Sequence, residues 1–181
     1  LEALKVFSDG EGLSISKRRI TLSTSGVVPY LNKLKEDIDI NLAISLHAVK
    51  NSIRDQLVPI NKKWPIEKLL ECLLEYPNIS NARRITFEYV MLKGVNDSKE
   101  DAKKLVSLLS PFPAKVNLIP FNPWPKSLYE SSSPETIKNF SDIVCKGNII
   151  TVTIRKQRGS DISAACGQLR SSSKRVIVRS S

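Results

Sequence analysis

Ile40-Asn41-Leu42-Ala43-Ile44-Ser45-Leu46-His47 decides the fold, because a strand-length apolar run here ends in a hydroxyl and an imidazole. Four further apolar runs flank it along the chain: Ile20–Ser23, Ile85–Met91, Val116–Ile119 and Ile149–Ile154. Segments of helical period separate the runs, over residues 27–36, 66–76, 98–110 and 134–146. Alternation of this kind is the mark of βα units, and it predicts an α/β domain with five parallel strands. Two helix starts are explicit: Ser98 precedes Lys99-Glu100-Asp101, and Ser133 precedes Pro134-Glu135. A serine in that place caps the helix, and the acids face its positive end. Pro111 and Pro113 stop the third helix, and Gly147-Asn148 the fourth.

The 181 residues are 41% hydrophobic and 25% charged, which is enough for one core and predicts one domain. No run approaches the roughly 20 apolar residues of a membrane span, and Leu1–Val6 has no signal-peptide pattern. A cytoplasmic protein with no membrane partner is expected. The chain opens without Met, inside an amphipathic segment (Leu1, Leu4, Val6, Phe7) that no capping residue precedes, so an upstream segment is expected. The net charge of +10 favours a polyanionic partner, although a basic surface that only maintains solubility explains the charge equally well. Clustering at Lys17-Arg18-Arg19, Lys62-Lys63, Arg83-Arg84, Arg155–Arg158 and Lys174-Arg175 favours nucleic acid. Residues 170–181 are expected to form a mobile, basic tail.

Ligands of parallel βα folds sit at the carboxyl ends of the strands. In this chain those ends carry Ser23-Thr24-Ser25-Gly26, Ser45-Leu46-His47, Gly94-Val95-Asn96-Asp97, Phe121-Asn122-Pro123-Trp124-Pro125 and Arg155-Lys156-Gln157-Arg158-Gly159. Each signal has an ordinary alternative: Ser23 and Thr24 as helix caps, Asn122 as a turn residue, His47 as a hydrogen-bonded structural histidine. Their shared position favours a site for a ligand with ribose and base edges. Cys72 and Cys145 lie in helical apolar patterns and are expected to be buried. Cys166, in Ala164-Ala165-Cys166-Gly167-Gln168, follows the basic cluster at 155–158, which would favour its thiolate; a packed thiol and a covalent nucleophile are both open readings. Three widely spaced cysteines and one histidine make neither a disulfide framework nor a zinc site.

Ser23–Pro29, Leu42–Ala48, Val58–Lys63, Asn117–Pro123 and Ala164–Leu169 resemble, in order, successive motifs of the RlmN/Cfr family of radical S-adenosylmethionine RNA methyltransferases. The resemblance implies that residues 1–169 are the C-terminal portion of a partial (β/α)6 radical-SAM barrel, without its first two βα units or the N-terminal RNA-binding domain. It implies that Ser23, Ser45, Leu46, His47 and Asn122 hold S-adenosylmethionine, and that Cys166 accepts a methyl group by displacement. In the family a 5'-deoxyadenosyl radical then activates that methyl for addition to adenine, at C2 in RlmN and at C8 in Cfr. The implied partners are 23S rRNA, tRNA and an external electron donor; Arg155, Lys156 and Arg158 would face the RNA, and the complete protein would be a monomer. The family's 4Fe-4S cluster is bound by C-x3-C-x2-C, which this sequence lacks, together with the Gly-Glu-Pro segment, the second catalytic cysteine and the acid proposed as base. Metal ligands are therefore not expected in the chain, and alone it is expected to be inactive. A non-catalytic, basic RNA-binding remnant of the same fold is the alternative.

Overall fold

The apolar runs become β1 (Thr21–Thr24), β2 (Asn41–Ser45), β3 (Ile85–Met91), β4 (Ala114–Pro120) and β5 (Thr151–Ile154), all parallel and paired in chain order in one sheet. A computed structural model describes residues 2–8, 13–37, 40–77, 79–124, 127–146 and 150–155. Parallel neighbours require crossovers, and helices supply them. α2 (Val28–Asp37) joins β1 to β2, α3 (Asn51–Leu57) and α4 (Ile66–Leu74) join β2 to β3, α5 (Lys99–Leu109) leads to β4, and α6 (Pro134–Cys145) leads to β5. α1 (Glu2–Ser8) precedes the sheet.

The two faces of the sheet differ. In β3, Ile85, Phe87, Tyr89 and Met91 are buried, whereas Thr86, Glu88 and Val90 are half-buried, the two-residue period of a strand with one face in the core. Register aligns Ile44, Phe87, Val116 and Val152 across four strands of the core face. Leu69 and Leu73 of α4, Leu105 and Leu109 of α5, and Phe140 of α6 join that core. Burial of each such side chain contributes about 1.5–3 kcal/mol. The same register aligns Ser45, Glu88, Asn117 and Thr153 on the opposite face, where none is buried.

The helix starts follow their capping residues. Ser98 accepts from the Asp101 amide, and the Asp101 side chain returns to the Ser98 amide, a closed capping box at the head of α5. Ser133 accepts from the Thr136 amide at the head of α6. α4 begins after Pro65 and has no cap of its own; the Ile66 amide donates instead to Asn51 Oδ1 at 3.0 Å.

Three expectations are corrected. α3 is absent from the periodicity reading, because seven residues are too few for a stripe and Arg54, its buried residue, is polar. Cys145 is exposed, unlike Cys72, which is buried with its Sγ 3.1 Å from Asn32 Oδ1. The core stripe of α6 is Ile137, Phe140 and Val144, and Cys145 lies one residue, about 100°, around the helix from it. In α1, Leu4 packs on the core, but Val6 and Phe7 are 57% and 40% exposed.

Candidate functional site at the carboxyl ends of the strands

β2 ends in a doubled turn: the amides of Leu46 and His47 both donate to the Glu88 carbonyl, at 3.1 and 3.2 Å. This brings His47 into the left-handed region, at φ 58°. The carbonyls of the turn are also taken. Arg54 donates from Nη2 to Ser45 O at 3.1 Å and from Nε to Leu46 O at 3.1 Å, and Asn96 Nδ2 donates to His47 O at 2.8 Å. Ser45 is left with its hydroxyl and His47 with its ring, while the Leu46 side chain is fully buried in the core.

The protonation of His47 is set by its surroundings. The Val90 amide donates to Nδ1 at 3.2 Å, so the hydrogen-bond network assigns the ring hydrogen to Nε2. Burial, aided by the charge of Arg54 and opposed by the Glu88 carbonyl, lowers its pKa from 6.5 to about 4. At neutral pH His47 is therefore an uncharged Nε2–H donor.

The loop after β1 is anchored in the same way. Thr24 Oγ1 accepts the Gly26 amide at 3.2 Å, which makes it a local turn residue, and Ser25 O accepts Arg54 Nη2 at 2.8 Å. Gly26 has φ 95°, a conformation that favours glycine, and a Cβ there would lie 2.9 Å from both terminal carbons of Leu69, so a larger residue would also have to displace that side chain. Ser23 is exposed on the polar face of the sheet.

Beyond β3, Asn96 is 2% exposed and fully used: Nδ2 also donates to Val90 O at 2.7 Å, Oδ1 accepts the Leu92 amide at 2.8 Å, and its carbonyl accepts the Tyr89 hydroxyl at 2.8 Å. Burial, with Asp101 and Asp97 adding, raises the Tyr89 pKa far above the ordinary phenol range, so Tyr89 stays a neutral donor. Asp101 is itself buried, and Lys50 Nζ reaches its Oδ1 at 2.9 Å. Beyond β4, Asn122 is half-buried next to Phe121, whose ring packs on Trp124 at 5.3 Å and Tyr129 at 6.5 Å. Beyond β5, Arg155 is exposed, and its amide donates to Leu118 O at 2.8 Å.

The structure thus puts Ser23, Ser45 and His47 at the ends of adjacent strands and Asn122 at the end of β4, two strands from β2. Cys166, Lys156, Arg158 and residues 170–181 lie outside the described residues. Sequence reasoning missed Arg54, Asn61, Glu88 and Asn117. The alternation Ile85-Thr86-Phe87-Glu88-Tyr89 signals Glu88; nothing in the sequence singles out Arg54, since arginine is exposed by default.

Among the described residues no group of three or more His, Cys, Asp or Glu side chains could hold a metal ion. Cys72 is buried in α4 and Cys145 is exposed at the end of α6, so the described cysteines do not fit an iron-sulfur cluster. Among the described residues no helix is long and apolar enough to cross a membrane.

A parallel sheet with a core on one face, a polar opposite face and polar groups gathered at its carboxyl strand ends defines a domain of the βα-barrel type. The comparisons agree. The chain superposes on a crystal structure of a radical SAM methyltransferase from Sphaerobacter thermophilus with a TM-score of 0.81 and 42% identity, over 91% of this chain and 48% of that one. A domain of pyruvate-formate lyase-activating enzyme from Bacteroides vulgatus shares the fold alone, with a TM-score of 0.58, 14% identity and coverage of 75% and 80%. No family model matches the sequence. The dual-specificity RNA methyltransferase RlmN of Parvibaculum lavamentivorans is 64% identical over 94% of this chain and 42% of its own length. RlmN of Zymomonas mobilis is 58% identical over 99% of this chain and 46% of its own. The chain belongs to the RlmN family of radical S-adenosylmethionine methyltransferases, and it spans less than half the length of these curated relatives.

Proposed function

We propose that residues 1–169 are the C-terminal portion of a partial (β/α)6 barrel in an RNA methyltransferase that modifies C2 of adenine in 23S rRNA and tRNA. The observation that carries this reading is the strand-end constellation of Ser23, Ser45, His47 and Asn122, in a chain 64% identical to an RlmN. A hydroxyl at Ser45, an Nε2–H donor at His47 and an amide at Asn122 match the ribose hydroxyls and base edges of S-adenosylmethionine. Leu46 serves the site as buried wall and backbone. When bound, S-adenosylmethionine supplies an activated methyl group.

Cys166 is the acceptor in this reading. Its thiolate, the thiol proton lost to solvent, would form a sulfur–carbon bond to the methyl carbon as the sulfonium–methyl bond broke, with S-adenosylhomocysteine as the leaving group. Arg155, Lys156 and Arg158 would neutralise phosphates of the RNA. The described cysteines do not fit a 4Fe-4S cluster, so no step is assigned through that group, and the chain by itself is inactive in this account. A basic RNA-binding domain without catalysis draws on the same missing ligands; it predicts RNA binding with no affinity for S-adenosylmethionine.

Equilibrium dialysis of S-adenosylmethionine against the native polypeptide separates the two. Asn122→Ala is expected to weaken binding by about 1–3 kcal/mol, the cost of an unpaired buried partner. Binding by the parent protein that Asn122→Ala leaves unchanged would return Asn122 to a turn role, and no binding by the parent would favour the non-catalytic reading.

A further inference from the structure

Arg54 has 0% exposure, and its donors go to neutral oxygens of three separate segments. One nitrogen, Nη2, bridges the loop after β1 and the end of β2, at 2.8 Å to Ser25 O and 3.1 Å to Ser45 O. Nε holds Leu46 O at 3.1 Å, and Nη1 donates to Asn61 Oδ1 at 2.9 Å. Asn61 is buried too, with Nδ2 fixed at 3.0 Å by Asn51 Oδ1 and at 2.6 Å by Asp55 Oδ1. The guanidinium is thereby held in one orientation from behind while it grips two strand ends in front.

We propose that Arg54 is the positioning residue of the site: it fixes the β1 loop against the β2 turn, so that Ser23 and the pair Ser45 and His47 meet a ligand as one preformed surface. Burial of a cation is costly, and apolar packing of similar volume often stabilises a fold as well or better. The arginine is therefore better explained by the geometry it imposes than by the stability it adds. Lysine cannot replace it, because an ammonium is a point donor and the four acceptors surround a planar fork. The proposal rests on the reading in which these residues contact S-adenosylmethionine.

The test uses the native polypeptide and its Arg54→Lys variant with two measurements, amide hydrogen exchange and the dissociation constant for S-adenosylmethionine. In Arg54→Lys the Leu46 and His47 amides should exchange faster while those of β3 and β4 keep their protection, and the dissociation constant should rise about tenfold or more. If that variant does not fold, Asn61→Ser, which frees the back of the guanidinium, should give the same local pattern with a smaller loss of affinity. Unchanged exchange at Leu46 and His47 would overturn the proposal. So would a uniform rise through the sheet, which marks a general stabiliser, or local loosening with unchanged affinity. If the parent protein binds no S-adenosylmethionine, the cofactor reading falls, and localised exchange alone then decides whether Arg54 fixes the turn.

Discussion

His47 is the only histidine in the chain, which makes its proton a clean probe of the site. Its folded pKa of about 4 lies below the ordinary 6.5, so between these values the unfolded chain binds the extra proton and stability rises with pH. The contribution is complete above about pH 6.5 and is lost as pH falls toward 4, about 3 kcal/mol in all. Urea titrations between pH 5 and 7, above the range of most carboxylates, should show this slope in the parent and a flat profile in His47→Gln. A slope that persists in the variant would assign it to another group. The residue-scale reading of the sequence found His47 and Asn122 because histidine and asparagine at strand ends are conspicuous. It could not find Arg54 or Asn61, because their role depends on oxygens contributed by Ser25, Ser45 and Leu46, which only folding brings together.

At the scale of elements, capping and periodicity carry the argument. Ser98→Ala removes one half of the capping box on α5 and should cost about 1 kcal/mol by chemical denaturation. The loss should exceed that of a surface serine such as Ser107, and equal losses would mean that the cap contributes nothing special. Cysteine labelling checks the helix faces: Cys145 should react with a thiol reagent in the native state, and Cys72 only after unfolding. Equal native rates would contradict the orientation of α4 or α6. Strands β1 to β5 were legible because their runs are bounded by turn residues and match strand length. α3 was not, since Asn51–Leu57 is held by the polar ties of Arg54 and Asn51 rather than by an apolar stripe. Cys145 was misjudged for a related reason: an apolar pattern near a helix end does not say which residue faces inward.

The whole molecule is a sheet with a core on one face and polar side chains on the other, carrying a charge of +10. The parallel order was legible in the alternation of runs and helical segments, and the polarity of the second face was signalled only by the alternation within β3. A parallel sheet covered by helices on both sides would read as continuous apolar strands, whereas β3 alternates Thr86, Glu88 and Val90 with buried residues. The polar face, the anchored strand ends and the close kinship with RlmN support the methyltransferase reading, and the role proposed for Cys166 is its central claim. The most direct measurement is mass spectrometry of the Cys166 peptide from the native protein, after incubation with S-adenosylmethionine carrying a deuterated methyl group. The account predicts a single added methyl on the Cys166 sulfur, and none on Cys72 or Cys145. An unmodified Cys166 in a preparation that methylates RNA would contradict it.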